Sequence, residues 1–213
     1  MRKVRTILKR GLNQAAMHGL TFVFLSSIIA SFCLPTHLSA AESKSVAQEH
    51  AVGLGFGQVI LLGDFEKNFS DSIGYDLTYD FNASEVFGIL VDASYHKHRN
   101  ATGENTAIIK GFTPNLKANF AYVDKLTVYG LVGLGLYWIG ETTGQVAGSV
   151  TTFGFNAGPG AELRLAEHLK FGTSLGFYNM FSKADSEAKN PFGKGMTIGG
   201  TFIRLFINIS YIF

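Results

Sequence analysis

The side chains of the last eleven residues, Ile203 to Phe213, alternate between two chemically different faces. One face is apolar and ends on an aromatic residue: Ile203, Leu205, Ile207, Ile209, Tyr211 and Phe213. The other face carries Arg204, Asn208 and Ser210. A period of two is typical of a β-strand whose two faces meet different surroundings. A soluble edge strand alternates over about five residues, so a longer run that ends on an aromatic residue favours a strand that crosses a membrane.

Earlier parts of the chain repeat this alternation. We expect seven further strands, in the segments 51–65, 73–81, 87–96, 106–122, 126–140, 153–165 and 169–178. No stretch after residue 40 reaches the ~18 apolar residues that a membrane helix needs. Only helices and closed barrels leave no backbone group unpaired in lipid. The sequence therefore predicts an all-β fold, a transmembrane antiparallel up-and-down β-barrel of eight strands.

The first 41 residues have the order of a cleaved signal peptide. The leader is basic and contains no acidic residue: Arg2, Lys3, Arg5, Lys9 and Arg10. An apolar run from Leu20 to Leu34 follows, and small residues precede the expected cleavage point after Ala41. A membrane anchor is the alternative, but the run is short for a span and contains serines. We expect a signal peptide at 1–41, a periplasmic tether at 42–50 and the barrel at 51–213.

Removal of the leader changes the charge of the chain. Five of the 18 Lys and Arg residues lie in it and all 16 Asp and Glu residues follow it, so residues 42–213 carry a net charge of −3 (13 basic against 16 acidic). The basic footprint of a nucleic-acid-binding protein is thus missing from these residues. Cys33 is the only cysteine, which excludes a disulfide or a thiolate metal site after cleavage. We expect no cofactor and no metal.

Charged side chains decide which face of each strand points inward. Eight of them, four of each sign, fall on the polar faces: Asp76, Asp80, Asp92, Lys117, Glu162, Arg164, Lys170 and Arg204. A Lys or Arg that faces lipid near the midplane costs about 2–4 kcal/mol. We therefore expect these side chains in the lumen, where opposite charges can pair in one network.

The connections between the segments alternate in length. Three are short, at 82–85, 123–125 and 166–168, and the four between them are longer, at 64–71, 97–105, 141–148 and 182–195. Short periplasmic turns and longer extracellular loops are typical of outer-membrane barrels. The pattern predicts an integral multi-pass protein of the cell outer membrane with both termini in the periplasm.

Aromatic residues fall near the strand ends, where the membrane interfaces are expected. The predicted inner girdle contains Phe81, Phe87, Phe120, Tyr122, Tyr211 and Phe213. The predicted outer girdle contains Phe65, Tyr95, Trp138, Phe153 and Phe181.

Several of these segments resemble the small bacterial outer-membrane β-barrel superfamily, and most closely the OmpW-like proteins, with OmpX-like and OmpA-barrel proteins as relatives in architecture. The likeness is carried by the stretches 112–122 (FTPNLKANFAY), 128–138 (VYGLVGLGLYW), 153–165 (FGFNAGPGAELRL) and 204–213 (RLFINISYIF). The closing residues Ile209, Tyr211 and Phe213 resemble the C-terminal signal that the barrel-assembly machinery recognises. The resemblance implies that machinery, outer-membrane lipid and lipopolysaccharide as partners, and passage of small hydrophobic molecules as an activity.

The sequence does not decide whether the lumen is a channel or a plug. The eight charges could line an ion path, but an eight-stranded barrel is only just wide enough for its own side chains, which favours a plug of ion pairs. Many inward positions are glycines, which could leave a cavity, relieve curvature or make room for Tyr129, Tyr137, Tyr178 and Arg204. These glycines are Gly53, Gly55, Gly57, Gly133, Gly135, Gly154, Gly158, Gly160, Gly172 and Gly176.

Asp92, Ser94 and His96 share one strand face and could form an acyl-transfer site, as in a lipid A hydrolase. In the expected register the three face the lumen, away from lipid chains, so a chance polar trio is favoured over a catalytic one. His96 and His98 flank Lys97 at the expected start of a long loop. Two histidines are too few for a defined metal site, so we expect them to be solvated.

Three functions are compatible with the sequence. The first is a narrow passive channel for small, mostly apolar solutes. The second is a structural or surface-interaction barrel that acts through its long loops. The third is the hydrolase. We do not expect the protein to be an enzyme. The modest length of the loops favours the channel slightly over the surface role.

Overall fold

The computed structural model describes residues 48–63, 65–66, 69–99, 106–141, 149–181 and 199–213. The predicted signal peptide and most of the predicted tether lie outside these residues. Eight strands follow one another along the chain: β1 (Glu49–Leu62), β2 (Ser72–Asn82), β3 (Phe87–Arg99), β4 (Thr106–Val123), β5 (Leu126–Glu141), β6 (Ser149–Ala166), β7 (Leu169–Met180) and β8 (Gly200–Ile212).

Each strand pairs antiparallel with its neighbours in sequence, and β1 closes the cylinder against β8. The predicted closed, eight-stranded, all-β barrel is thus confirmed. The closing β1–β8 ladder is unbroken from Ala51↔Ile212 to Leu62↔Thr201. Within the described residues, no helix is long and apolar enough to cross a membrane.

The faces of the strands follow the alternation in the sequence. Outward side chains are apolar and exposed at the barrel surface, for example Leu54 at 70%, Leu134 at 67% and Ile209 at 58%. Side chains between them point inward and are buried. Because the outward face is apolar, a lipid environment stabilises a barrel with this distribution of side chains.

Two prolines stand inside strands, and both face outward. The β4–β5 ladder skips Thr113 and Pro114, and the β6–β7 ladder skips Gly158 and Pro159. Proline has no backbone N–H to donate, so the ladder is interrupted on the side that its nitrogen faces. Both prolines keep their pairing on the other side, Pro114 with Val91 and Pro159 with Gly130.

The stretches between strands alternate in length as the sequence predicts: 83–86, 124–125 and 167–168 are short, and 63–71, 100–105, 142–148 and 181–199 are longer. We call the two ends of the barrel the turn end and the loop end. Several predicted strand ends differ from the structure, and two of them misplace inward-facing residues. β1 already begins at Glu49, inside the predicted tether, and β3 runs on to Arg99 although we expected a loop from Lys97. Both extensions pair with a neighbouring strand, Glu49 with Asn82 and Arg99 with Thr106.

Candidate functional site in the barrel interior

At the turn end, six charged side chains form one group, the turn-end ion cluster: Glu49, Asp80, Lys117, Glu162, Arg164 and Lys170. Lys117 Nζ lies 2.6 Å from Asp80 Oδ2 and 3.0 Å from Glu162 Oε1. Lys170 Nζ lies 3.7 Å and 3.6 Å from the same two carboxylates. Because the six residues come from β1, β2, β4, β6 and β7, the cluster ties the inward faces of these strands together.

Glu49 completes the turn-end ion cluster. Its carboxylate is paired with Arg164 on β6 and with Lys170 on β7. The cluster therefore holds three positive and three negative side chains, and its formal charge is zero. A low-dielectric interior tolerates charges only when they are balanced and hydrogen-bonded in this way. Lys117 is fully buried, and its Nζ also lies 4.6 Å from the centre of the Tyr129 ring.

Nearer the middle of the barrel, Arg204 spans the interior from β8 to β2 and β3. Its Nη1 lies 3.0 Å from Asp92 Oδ1 and its Nη2 lies 2.5 Å from Asp76 Oδ2. A second hydrogen bond joins Nη2 to Asp92 Oδ2 at 3.1 Å. The guanidinium also contacts the rings of Tyr178 and Phe206, at 5.0 Å and 4.1 Å from their centres. One guanidinium thus forms ion pairs with two carboxylates in a buried site.

Of the eight charged residues that we expected in the lumen, seven are buried and the Arg164 side chain is 33% exposed, and the eight do not form a single network. Arg204, Asp76 and Asp92 make up one group, and the remaining five belong to the turn-end ion cluster together with Glu49. The interior is therefore crossed by two separate sets of ion pairs.

Toward the loop end most buried side chains are apolar, although His96 and His98 are buried there as well. The loop-end apolar cluster contains Val59, Leu61, Phe65, Phe69, Ala107, Ile109, Tyr137, Ile139, Tyr178, Met180, Phe202 and Phe206. The rings of Tyr178 and Phe202 are stacked, with centres 4.9 Å apart. The expectation that Phe65 belongs to the outer girdle is wrong, since its side chain is 4% exposed and packs inside this cluster. Phe65 and Phe69, which follow β1, both pack in this cluster at the barrel mouth, where they are removed from water.

Inward glycines make room for large side chains. A Cβ added at Gly160 would collide with the Tyr129 ring, and one at Gly135 or Gly154 would collide with Tyr137. The same holds for Gly176 and Tyr178. Tyr129 and Tyr137 are each 1% exposed. Of the three alternatives for these glycines, the structure therefore supports space for aromatic rings at these positions.

His96 and His98 lie in β3 and not in a solvated loop, so the expectation of solvation is wrong. Both are buried, at 1% and 0% exposure. His96 Nδ1 and His98 Nε2 are 2.9 Å apart, and His98 Nδ1 lies 2.9 Å from the Ser70 carbonyl oxygen. Strand β3 continues past the expected boundary, and the period of two then turns both rings inward.

Comparison with known proteins agrees with this geometry. Residues 27–202 match the family model of the outer membrane protein beta-barrel domain. The chain belongs to this family. It is an integral outer-membrane β-barrel of the Gram-negative type. No curated protein sequence matches it significantly.

Solved structures share the fold of this outer-membrane barrel. Neisserial surface protein A is 8% identical with a TM-score of 0.59, and the match covers 77% of this chain and 97% of that one. A major outer membrane protein from Thermus thermophilus is 12% identical with a TM-score of 0.55, covering 78% and 100%. Ail, the attachment invasion locus protein of Yersinia pestis, is 16% identical with a TM-score of 0.52, covering 79% and 100%. At these identities the likeness concerns the fold alone.

In this outer-membrane barrel the side chains of Asp92, Ser94 and His96 face the lumen, but Asp92 and His96 form hydrogen bonds with residues outside the trio. Arg204 and the Thr113 hydroxyl hold the Asp92 carboxylate, the latter at 3.1 Å. His96 bonds to His98. Among the described residues no hydrogen bond links Asp92 to His96 or His96 to Ser94, and a catalytic triad needs both links. The hydrolase hypothesis stays untested, and absence of lipid A deacylation by the purified protein would end it.

The sequence interpretation overlooked two parts of the barrel interior. Glu49 was not predicted to lie in the interior because we assigned it to the tether. Phe202 and Phe206 were not predicted there because we gave no position to apolar residues on an otherwise polar face. Phe202 and Phe206 stand two residues before and two residues after Arg204. In a strand such residues share a face, so this spacing could have predicted that both point inward.

Proposed function

We propose that this protein is a closed outer-membrane barrel that acts as a scaffold for its long loops at the cell surface. In this proposal the loop end faces outward and the termini face the periplasm. The barrel then contributes stability and anchorage, and the loops make the contacts with surroundings or partners.

One observation supports the proposal, namely that large buried side chains of the described residues occupy the turn end, the middle and the loop end of the interior. The turn-end ion cluster, the Arg204 group and the loop-end apolar cluster lie one after another along the barrel axis. The largest side chains with less than 2% exposure include Tyr129, Tyr137, Lys117, Phe202 and Phe206. A solute would have to separate buried ion pairs whose disruption costs several kcal/mol, on the order of 3–5 for one pair. The name of Ail associates the same fold with attachment, which is compatible with a surface role.

Electrical recording on the purified protein tests this proposal. In planar lipid bilayers we expect no stepwise conductance from the wild-type barrel. As a positive control, the Lys117→Ala and Arg204→Ala variants remove one cation from each set of ion pairs and should leave the bilayer leakier if they fold. A steady wild-type conductance, with a unit value that does not depend on the preparation, would contradict the scaffold.

A second candidate is uptake of small apolar molecules, the activity implied by the OmpW-like resemblance. The observation in its favour is the loop-end apolar cluster, which lines the barrel mouth with side chains suited to an apolar guest. Phe65 would have to move aside, because it fills this mouth.

Binding of a fluorescent apolar probe such as 1-N-phenylnaphthylamine distinguishes the two candidates. Uptake predicts saturable binding that Phe202→Ala strengthens or weakens while Phe120→Ala, a change on the outer surface, leaves it unaltered. If neither variant changes probe binding, the apolar cluster serves packing alone.

A further inference from the structure

Two histidine rings of β3 are in contact inside the loop end of the barrel, next to the first loop (63–71). His96 and His98 are both buried. His96 Nδ1 and His98 Nε2 are 2.9 Å apart, and the two ring planes stand at 88° to each other. We call these two residues the histidine pair.

The hydrogen bonds around the histidine pair leave one arrangement for the protons of its neutral rings. His98 Nδ1 lies 2.9 Å from the Ser70 carbonyl oxygen, which can only accept, so His98 Nδ1 carries a proton and donates it. The Nε2 atom of a neutral His98 then has no proton and must accept. His96 Nδ1 therefore donates to His98 Nε2, and the Ser72 hydroxyl, 3.3 Å from the same atom, is placed to donate as well.

An additional proton has no favourable position on the histidine pair. On His98 Nε2 it would make two N–H groups face each other across 2.9 Å. On His96 Nε2 it would create a buried donor that has no acceptor among the described residues, on a ring whose centre is 5.2 Å from that of Phe202. A buried charge without a partner is strongly destabilising. The observed contacts are therefore those of a neutral pair.

Charged groups of the neighbouring elements act on the histidine pair from two sides. Arg204 of β8 acts on His96, and its positive charge repels a second cation in the interior. Asp71, just before β2, acts on His98 and attracts a cation there. Lys97 and Arg99 alternate with the two histidines and point to the outer face of β3. A protonated His98 would thus be drawn away from His96, toward the first loop.

His98 attaches the first loop to β3. The Ser70 carbonyl oxygen accepts the bond from His98 Nδ1, and the Ser70 backbone N–H donates to the Arg99 carbonyl oxygen at 2.9 Å. Phe65 and Phe69 pack in the loop-end apolar cluster, and the Phe69 backbone N–H donates to the Phe65 carbonyl oxygen at 3.0 Å. The bond from His98 therefore lies next to the stretch that places two aromatic rings in the barrel mouth.

We propose that the histidine pair is an acid-sensitive latch for the first loop. While both rings are neutral, His96 orients His98, and His98 holds Ser70, so that Phe65 and Phe69 fill the barrel mouth. When the pair takes up a proton, the bond between the rings is lost, His98 turns toward water and Asp71, and the first loop is released from β3. The inference goes beyond the scaffold proposal and holds whether or not the barrel conducts, because it concerns the position of the first loop alone.

Proton uptake favours the released state. The closed state binds no proton beyond those of the neutral pair, whereas release exposes His98 to water, where the pKa of histidine is about 6.5. The ratio of released to closed protein is therefore constant well above about pH 6.5 and rises as the pH falls below it. For one histidine we expect a rise of about 30-fold between about pH 7.5 and about pH 5.0.

A spin label on the first loop measures this release. Residues 42–213 contain no cysteine, so Glu66→Cys, an exposed position next to Phe65, takes the label selectively. The labelled protein is folded into phosphatidylcholine vesicles, and electron paramagnetic resonance gives the ratio of mobile to immobile label at the two pH values. We expect the ratio to rise on acidification and to return when the pH is restored. Equal spectra at the two pH values would overturn the latch.

Two substitutions in the labelled protein separate the latch from a general effect of acid. His98→Asn keeps an N–H that can donate to the Ser70 carbonyl oxygen but does not titrate, so the label should stay immobile at both pH values. His96→Leu removes the N–H that faces His98 Nε2, which can then carry a proton and donate it to the Ser72 hydroxyl. The acid transition should vanish here too. His168→Gln, the matched control, removes an exposed histidine at the turn end and should keep the transition.

A transition that persists in both His98→Asn and His96→Leu would assign the acid response to other groups and overturn the latch. Folding of each variant is checked by its gel shift on heating. If His98→Asn does not fold, His96→Leu alone decides, because it leaves the bond from His98 to Ser70 in place.

The proton positions themselves can be observed. Four histidines follow residue 41, namely His50, His96, His98 and His168. In nitrogen-15 magnetic resonance spectra of the imidazole rings at about pH 7.5, where free histidine is mostly neutral, we expect His96 and His98 to carry their proton on Nδ1. A proton on Nε2 of either ring would contradict the hydrogen bonds on which the latch depends.

Discussion

At the scale of single residues, the middle of the barrel depends on Arg204, which is the one cation in contact with both Asp76 and Asp92 among the described residues. The three side chains come from β8, β2 and β3, and all are 9% exposed or less. Removal of one member of a buried ion pair costs more than the pair contributed, because the partner keeps its charge without compensation. The Arg204 group is therefore sensitive to any change of charge.

The variant Arg204→Ala tests this dependence. We expect it to lower the free energy of unfolding by about 3–5 kcal/mol, because two carboxylates then face each other in the interior. Urea unfolding in phospholipid vesicles, followed by Trp138 fluorescence, measures the change. Arg204→Lys keeps the positive charge and should lose less. If Arg204→Ala unfolded at the same urea concentration as the wild type, the two uncompensated carboxylates would not destabilise the interior, and the prediction would be wrong.

Gly160 illustrates how closely a tyrosine fills the interior. A Cβ at this position collides with the Tyr129 ring, which is 1% exposed. We expect Gly160→Ala to destabilise the barrel by about 1–3 kcal/mol, the usual effect of overpacking. Equilibrium unfolding in the same vesicles provides the measurement.

Two further variants separate overpacking from a loss of backbone freedom. At Gly130 the added Cβ would lie 2.7 Å from the Phe120 ring, but Phe120 is 72% exposed on the outer surface and can rotate away. Gly130→Ala should therefore have little effect. Combining Gly160→Ala with Tyr129→Ala should cost less than the sum of the two single changes, and strict additivity would rule out the collision.

At the scale of strands, each element separates a lipid surface from a packed interior. The outward face of β5 shows this well, since Val132 and Leu134 are 55% and 67% exposed while Tyr129 and Tyr137 on its other face are buried. Several inward glycines lie against a large side chain of a neighbouring strand, as Gly160 does against Tyr129, so that the strands share the limited space. The identity of a residue thus depends on both its face and its depth.

Depth along a strand can be tested with one charge at two positions. Leu134→Arg places a cation near the middle of β5 on the lipid face and should lower the free energy of unfolding by about 2–4 kcal/mol. Ile108→Arg places it near the loop end of β4, next to Lys97, with an expected loss of about 0–1 kcal/mol. Unfolding in vesicles compares the two variants. Equal losses would mean that the outward face does not cross a hydrocarbon layer.

At the scale of the whole molecule, closure of β1 on β8 leaves no open sheet edge among the eight described strands. The cylinder has one end with tight turns and another with longer loops. Closure explains why the protein can be both apolar outside and charged inside, because the strands themselves shield the ion pairs from lipid.

The orientation of the molecule can be measured by cysteine labelling. The only cysteine, Cys33, precedes the barrel, so residues 42–213 offer a cysteine-free background. We expect a membrane-impermeant maleimide to label Glu66→Cys, in the first loop, on intact cells. Lys125→Cys, in a tight turn, should react only after the outer membrane is opened. The reverse pattern would place the termini outside and the loops in the periplasm.

Local sequence was sufficient to predict the strands, their inward and outward faces and the alternation of turns and loops. These features depend on near neighbours, because the backbone turns successive side chains to opposite faces and lipid penalises a charge wherever it occurs. The interior location of Arg204 and Lys117 follows from this local rule.

The pairing of the inward charges, in contrast, was set by the assembled cylinder. Arg204 and Asp76 are 128 residues apart in sequence, and Lys117 and Glu162 are 45 apart, so their contact depends on the strand register around the whole barrel. The same applies to Glu49, His98 and Phe65, whose positions were misjudged because strand ends and loop paths are set by pairing and by the space at the barrel mouth. A local alternation contains no information on such distant neighbours, because shear and closure are properties of all eight strands together.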